Sequence, residues 1–191
     1  MSGLKVNTES DEDLMLRYAA GDLDAFRRIY ERHRGGLYRY FLRQSHAGVA
    51  EELFQDVWAR VIQSRKRYRP KAAFKTWLYT LARNRLVDHW RREGRAVGQN
   101  NDDGCTDPAL PDAQADPQRL VDLSYCLEQL LQLVAGLPDV QRQAFLLRHE
   151  AGMSLLQIAE AMSTKMETAK SRLRYAMDQL RSAIARECLE D

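Results

Sequence analysis

The chain has 191 residues and a mass of 22.1 kDa, enough for one ordinary domain or two small ones with thin cores. Its 45% hydrophobic and 29% charged residues suit a folded chain, and three scattered cysteines, Cys105, Cys126 and Cys188, argue against a disulfide framework or a zinc site. A formal net charge of +2 hides an asymmetry: Arg60 to Arg95 holds nine Arg and three Lys against Asp88 and Glu93, a local +10 that leaves −8 elsewhere. That stretch is a polyanion surface or a solvated positive face, and the residues between the charges must decide.

In chain order, the opening MSGLKVNTESDEDL has no apolar signal-peptide core, and no run approaches a membrane span. A cytoplasmic, reduced protein is predicted. Asp22 is placed to cap a helix with Phe26, Ile29, Tyr30, His33, Leu37 and Phe41 on one stripe, and Gly35 with Gly36 marks a possible bend. A second stripe, Val49, Leu53, Phe54, Val57, Trp58, Val61 and Ile62, follows Glu51 and Glu52. A third, Phe74, Trp77, Leu78, Leu81, Leu86 and Trp90, follows a basic loop broken by Pro70. No alternating strand pattern occurs.

The third stripe lies in RKRYRPKAAFKTWLYTLARNRLVDHWRRE, which interleaves cations with Tyr68, Phe74, Trp77, Tyr79 and Trp90. Aromatic faces stack on exposed bases while Arg and Lys hold phosphates, so a single strand, or a duplex being opened, fits better than intact duplex. Core spacing competes for the same aromatics and assigns Trp77 to the core, with its edge or neighbours left for nucleic acid. Arg83, Asn84, Asp88, Arg91 and Arg92 are polar positions for reading or anchoring, and Asn84 is the first choice for a base edge.

Residues 94–118 change character, with three of the five prolines, several Asp and almost no large apolar side chain. They read as a flexible acidic linker between a helical domain at 1–93 and a second at 119–191. The second starts with Leu120, Leu123, Leu127, Leu130, Leu131 and Val134, breaks at Gly136 to Pro138, and continues through DVQRQAFLLRHE to Gly152. Two short helices follow. Ser154 with Gln157, and Thr164 with Glu167, both fit the reciprocal hydroxyl and carboxyl or amide cap. Leu155, Ile158, Ala159 and Met162 share a face of the first; Met166, Ala169, Leu173, Ala176, Met177, Leu180 and Ile184 share one of the second.

Opposite that apolar back lie Thr168, Ser171 and Tyr175, with Lys165 and Arg172 on one flank and Lys170 and Arg174 on the other. Such a helix fits a major groove, its edges anchoring on the two phosphate backbones while its centre reads bases. An amphipathic hairpin with a soluble face has the same pattern.

Four segments together, AEELFQDVWARVI, FKTWLYTLARNRLVDHWRR, LPDVQRQAFLLRHEAGMSLLQIAEAM and ETAKSRLRYAMDQLR, resemble an RNA polymerase sigma factor of the extracytoplasmic-function (ECF) type, over almost the whole chain. The resemblance implies an all-α fold of two small helical domains, the C-terminal one with a helix-turn-helix, and no cofactor or metal. It implies a polymerase-binding surface at Glu52, Leu53, Phe54, Gln55, Asp56 and Trp58. It implies −10 recognition and melting by Arg69, Lys71, Phe74, Lys75, Thr76, Trp77, Arg83, Asn84, Asp88, Arg91 and Arg92. The −35 duplex falls to Lys165, Glu167, Thr168, Lys170, Ser171, Arg172 and Arg174. The implied partners are core RNA polymerase, promoter DNA and an anti-sigma factor, often membrane-anchored, which holds such proteins inactive at the inner membrane face; a small apolar helical partner between the domains is expected. The chain departs from the family at the turn, with Ser163 and Thr164 where Gly and an apolar residue are common, and at Glu167, Thr168 and Ala169 in place of Gly-Thr-Val.

Two other classes use some of the same residues. A dimeric repressor or activator explains the last domain but leaves the Trp-rich basic helix idle. An enzyme built on Asp88 and His89 lacks a second carboxylate or a phosphate loop, and adjacent helical residues point about 100° apart.

Overall fold

The computed structural model describes residues 9–94 and 117–187, and the side chains of 9–94 and 126–184. Among the described residues there are eight α-helices, a single 3-10 turn and no strand. The first helix, α1 (Asp11–Ala19), is one that apolar periodicity did not announce. Ser10 caps it by accepting from the Asp13 N–H, and Leu14, Met15 and Tyr18 are buried beneath it.

Asp22 caps α2 (Leu23–Leu42) by accepting from the N–H groups of Asp24 and Ala25. The helix runs unbroken through Gly35 and Gly36. Gly36 serves close approach: a Cβ there would lie 3.0 Å from the Tyr79 hydroxyl and 3.3 Å from the backbone oxygen of Glu150. His46 caps α3 (Ala47–Ser64), the 3-10 turn at Arg65–Arg67 follows, and α4 (Phe74–Arg92) ends before Gly94, whose φ of +74° is left-handed.

These four helices share a core in which Ile29, Leu37, Tyr40, Phe41, Leu53, Val57, Phe74, Leu78, Leu86 and Trp90 are fully buried. All three expected stripes thus face inward, apart from Ile62, which is 41% exposed. Tyr79 and Trp90 are core residues, and Trp77 is only partly buried against the core.

Residues 95–116, most of the expected linker, lie outside the described residues, as do Cys105 and Cys188. The second bundle begins with α5 (Pro117–Ala135), whose opening proline sits two residues before the expected boundary; the first helical turn has no use for that N–H. It is joined by α6 (Asp139–His149), α7 (Leu155–Ala161) and α8 (Met166–Glu187). Asp139 and Arg142 form a buried ion pair at the start of α6, and Arg142 also donates to the Ala135 carbonyl at the end of α5. Each charge is therefore matched, and the bond to Ala135 fixes the angle between the helices.

Ala159 and Ala161 of α7 and Ala169 and Ala176 of α8 are buried, and the two helices pack together. Met166 and Ile184, assigned by spacing to the apolar face of α8, are 48% and 42% exposed, because they lie towards its ends. The double cap expected at Ser154 and Gln157 is present. The one at Thr164 and Glu167 is out of register: α8 starts at Met166 and the Lys165 carbonyl accepts its first helical bond, from Ala169.

The register is set by Ser163, the one non-glycine residue with positive φ (51°) among the described residues. A side chain there costs about 1–2 kcal/mol. Ser163→Gly is therefore expected to raise stability by about 1 kcal/mol, read as a higher urea midpoint at unchanged slope; an unchanged midpoint would mean that Ser163 is not strained.

The two bundles touch. α4 packs along α7, the Arg39 Nε donates to Glu150 at 2.7 Å with Arg43 3.9 Å away, and the Arg83 Nε donates to the Gln143 side-chain oxygen at 3.0 Å. The space expected to hold a partner between the domains is occupied here by the chain's own contacts.

Candidate nucleic-acid interface

The loop between the 3-10 turn and α4 folds over the first turns of α4 and leaves an open pocket of about 620 Å³, lined by Ser64, Arg67, Tyr68, Arg69, Lys71, Ala72, Thr76, Trp77, Thr80 and, from the other bundle, Glu160. Its aromatic wall is a triad: Tyr68 and Trp77 have ring centroids 5.2 Å apart, Phe74 and Trp77 5.6 Å, Tyr68 and Phe74 6.1 Å. Phe74 is fully buried and supports the other two rings from behind. Tyr68 and Thr76 are 5% and 3% exposed, and neither hydroxyl has a hydrogen-bond partner.

The rim is basic. Arg67, Arg69 and Lys71 are exposed, with Arg69 steadied by donation to the Tyr68 carbonyl at 2.9 Å. Lys75 is half-buried. Tyr68 stands outside the residues assigned from family resemblance, although it belongs to the aromatic and cationic alternation; Arg-Tyr-Arg ahead of Pro70 was the available signal.

Further along α4, Asn84, Asp88, Arg91 and Arg92 are exposed at helical spacing and form one face. Arg91 lies 3.8 Å from Asp88, and the Arg92 Nε reaches the Asp88 carbonyl at 3.4 Å. Arg83 points elsewhere, half-buried onto Gln143; burial lowers its pKa, and the nearby Arg172 adds to that. His89 turns to Glu93 at 3.2 Å.

On α8, Lys165, Glu167, Lys170 and Arg174 are exposed, while Thr168, Ser171 and Arg172 are half-buried. The Ser171 hydroxyl donates to the Glu167 carbonyl at 2.9 Å, and the Arg174 guanidinium lies 5.0 Å from the centre of the exposed Tyr175 ring. The flanks are unequal in this arrangement: Lys170 and Arg174 are open to solvent, whereas Arg172 is close enough to Arg83 to be felt by it.

Of the residues assigned to polymerase docking, Glu52 and Gln55 are exposed, Phe54 and Asp56 half-buried, and Leu53 and Trp58 buried. Phe54 sits in an aromatic cluster with Tyr38 and Trp58 at 5.8 and 6.3 Å. Exposed Ile62 continues the Gln55 face by one more helical repeat. Among the described residues no three His, Cys, Asp or Glu form a metal cluster, and no helix is long and apolar enough to cross a membrane.

Comparison with known proteins bears on these surfaces. Residues 29–96 match the family described as Sigma-70 region 2, and residues 127–180 match Sigma-70, region 4. The ECF RNA polymerase sigma factor SigK of Mycobacterium sp. (strain KMS) is 33% identical over 180 residues, covering 92% of this chain and 91% of the relative. SigK of Mycobacterium tuberculosis (strain ATCC 25177 / H37Ra) is 28% identical over 185 residues, 92% of this chain and 94% of the relative. Among solved structures, CnrH in complex with the cytosolic domain of CnrY has a TM-score of 0.68 at 17% identity, covering 93% of this chain and 98% of that one. The sigma factor RpoE in complex with the anti-sigma factor NepR from Bartonella quintana has a TM-score of 0.63 at 24% identity, covering 84% and 96%. Both share the fold. Two regions in sigma-70 order, together with one-third identity over nine-tenths of a relative, place the chain in the ECF group of the sigma-70 family, whose members bind core RNA polymerase and direct promoter-specific initiation.

Proposed function

We propose that the first bundle docks on polymerase through the exposed Glu52, Gln55 and Ile62 side of α3 and opens the −10 element at the pocket beside α4, while α8 reads the −35 duplex. The observation that carries this reading is the open pocket itself, with the Tyr68 and Trp77 rings as its wall and Arg67, Arg69 and Lys71 as its rim. A base turned out of its stack gains ring contact at the Tyr68 and Trp77 wall, of which Trp77 is the more open. Arg67, Arg69 and Lys71 take the adjoining phosphates, and Asn84 faces the next bases along α4. Asn84→Ala is expected to weaken −10 recognition about tenfold, the worth of a modest base contact, with −35 affinity unchanged; equal losses at both elements would point to misfolding.

Arg83 and the Glu160 edge of the pocket engage DNA only after the bundles part, because both now lie at the contact between them. Of the two solved neighbours, RpoE is in complex with the anti-sigma factor NepR and CnrH with the cytosolic domain of CnrY. By analogy this chain is cytoplasmic and restrained by an inhibitor of that kind, membrane-anchored at the inner face, which covers the docking surfaces until a signal releases it.

The deciding experiment is transcription in vitro with core RNA polymerase, with and without the protein, on a genomic promoter library, mapping transcript starts. New starts that share two spaced upstream motifs, and need both proteins, are expected. DNA bound by the protein alone with no new starts would overturn the reading in favour of a repressor.

A further inference from the structure

Helix α4 begins without a cap of its own. Ala73 holds the capping position with φ −55° and ψ 137°, a backbone suited to a cap, but brings no side-chain acceptor for the free N–H groups of the first turn. The acceptor comes from α1, 62 residues earlier: the Glu12 carboxylate takes the Phe74 N–H. A carboxylate there also meets the positive end of the helix dipole.

Glu12 is held in place from both sides. Leu14 and Met15 anchor α1 in the core with no exposure, and Asp11 accepts from Arg32 at 2.7 Å and pairs with the His33 ring at 2.6 Å. Burial pushes the Asp11 carboxyl up, but those two hydrogen bonds outweigh it and bring it down to about 2. The His33 ring in turn lies 5.4 Å from the Phe74 ring. Phe74 is therefore gripped at its N–H by Glu12 and at its ring by His33, Tyr68 and Trp77. Tyr68 registers the same neighbourhood, its hydroxyl pushed up to about 12 by burial first and then by Glu12 and Asp11.

We infer that Glu12 is a positioning residue for −10 opening: by capping α4 from across the fold it fixes Phe74, and through Phe74 the angle between the Tyr68 and Trp77 rings that form the base pocket. The inference rests on the −10 reading of that pocket. It adds a role for α1, which lies before residues 29–96 matched by the region 2 family.

The test uses full-length chain with core polymerase and a promoter duplex, found in the transcription experiment, carrying 2-aminopurine in its −10 element. Glu12→Ala is expected to slow strand opening about five- to tenfold, the size of a lost cap, with polymerase affinity and −35 binding unchanged. Adding Ala73→Asp, which supplies the cap locally, is expected to return opening to within about twofold of the parent. Opening by Glu12→Ala at the parent rate overturns the inference. So does a loss shared by polymerase binding and not restored by Ala73→Asp, since Glu12 is then merely structural. If the parent holoenzyme initiates but 2-aminopurine reports no base leaving the stack, the pocket reading itself fails, an outcome distinct from either.

Discussion

Holoenzyme carrying Lys170→Glu together with Arg174→Glu is expected to bind its −35 duplex on the order of a hundredfold more weakly at about 0.1 M salt, with polymerase affinity unchanged. Both side chains are exposed on the flank of α8 away from the first bundle, so their replacement disturbs neither core nor domain contact. Each exchange removes one phosphate contact and sets a like charge beside the backbone, and the slope of log affinity against log salt should fall by about two. Loss across all sequences alike, with base preference kept, marks the pair as anchors. Retained affinity in the double variant at low salt would remove α8 from the groove. Arg172 is a poorer probe, because its proximity to Arg83 makes any replacement act on the domain contact as well.

The helices could be read from the sequence because a helix buries one face at a spacing the sequence displays, as Ile29, Leu37 and Phe41 or Leu53, Val57 and Val61 do. Helix α1 escaped because its nine residues open with Asp-Glu-Asp and bury only Leu14, Met15 and Tyr18. The available signal was Ser10 with Asp13, whose backbone N–H donates to the Ser10 side chain. The cap expected at Asp22 is present although Gly21 before it is left-handed. Ser154 held its place, whereas the left-handed Ser163 shifted the start of α8 by one residue relative to Thr164. Gly36 shows a further limit. A glycine in a helical pattern signals either a bend or close approach, and what approaches it comes from Tyr79 and Glu150, which no local pattern names.

The site was legible in its residue types and less so in their directions. The alternation of cations and rings from Arg65 to Glu93 is the basis of the proposed nucleic-acid surface, but packing turns Tyr79 and Trp90 inward, keeps Phe74 as a support and leaves Tyr68 and Trp77 at the pocket. Packing decides that division, because the ring that can reach His33 and Leu78 at the centre of the bundle is lost to the surface. The Glu12 bond to Phe74 and the Arg39 bond to Glu150 join residues 62 and 111 positions apart, and spacing carries no information at such range.

The contact between bundles leads to the other large effect. Glu150→Arg is expected to shift the balance from packed to parted domains about thirtyfold, close to 2 kcal/mol, because it replaces the carboxylate between Arg39 and Arg43 with a third cation. The pair with Arg39 is half in solvent and worth little alone; repulsion among three guanidiniums makes up the rest. Small-angle scattering of the free chain is expected to show a larger radius of gyration, and single-stranded −10 DNA should bind more tightly without polymerase, since binding is weakened by the fraction of chains that are closed. Gly36→Ala provides the control. It favours α2 by about 1 kcal/mol but sets a methyl 3.0 Å from the Tyr79 hydroxyl and 3.3 Å from the Glu150 carbonyl, so it presses on the first bundle as well as on the contact, and its urea midpoint is read beside the radius. An unchanged radius in both variants would mean that these contacts do not hold the bundles together. Parting without a gain in DNA binding would mean that the contact does not cover the −10 surface, and that Arg83 is free to leave Gln143 while the domains stay joined.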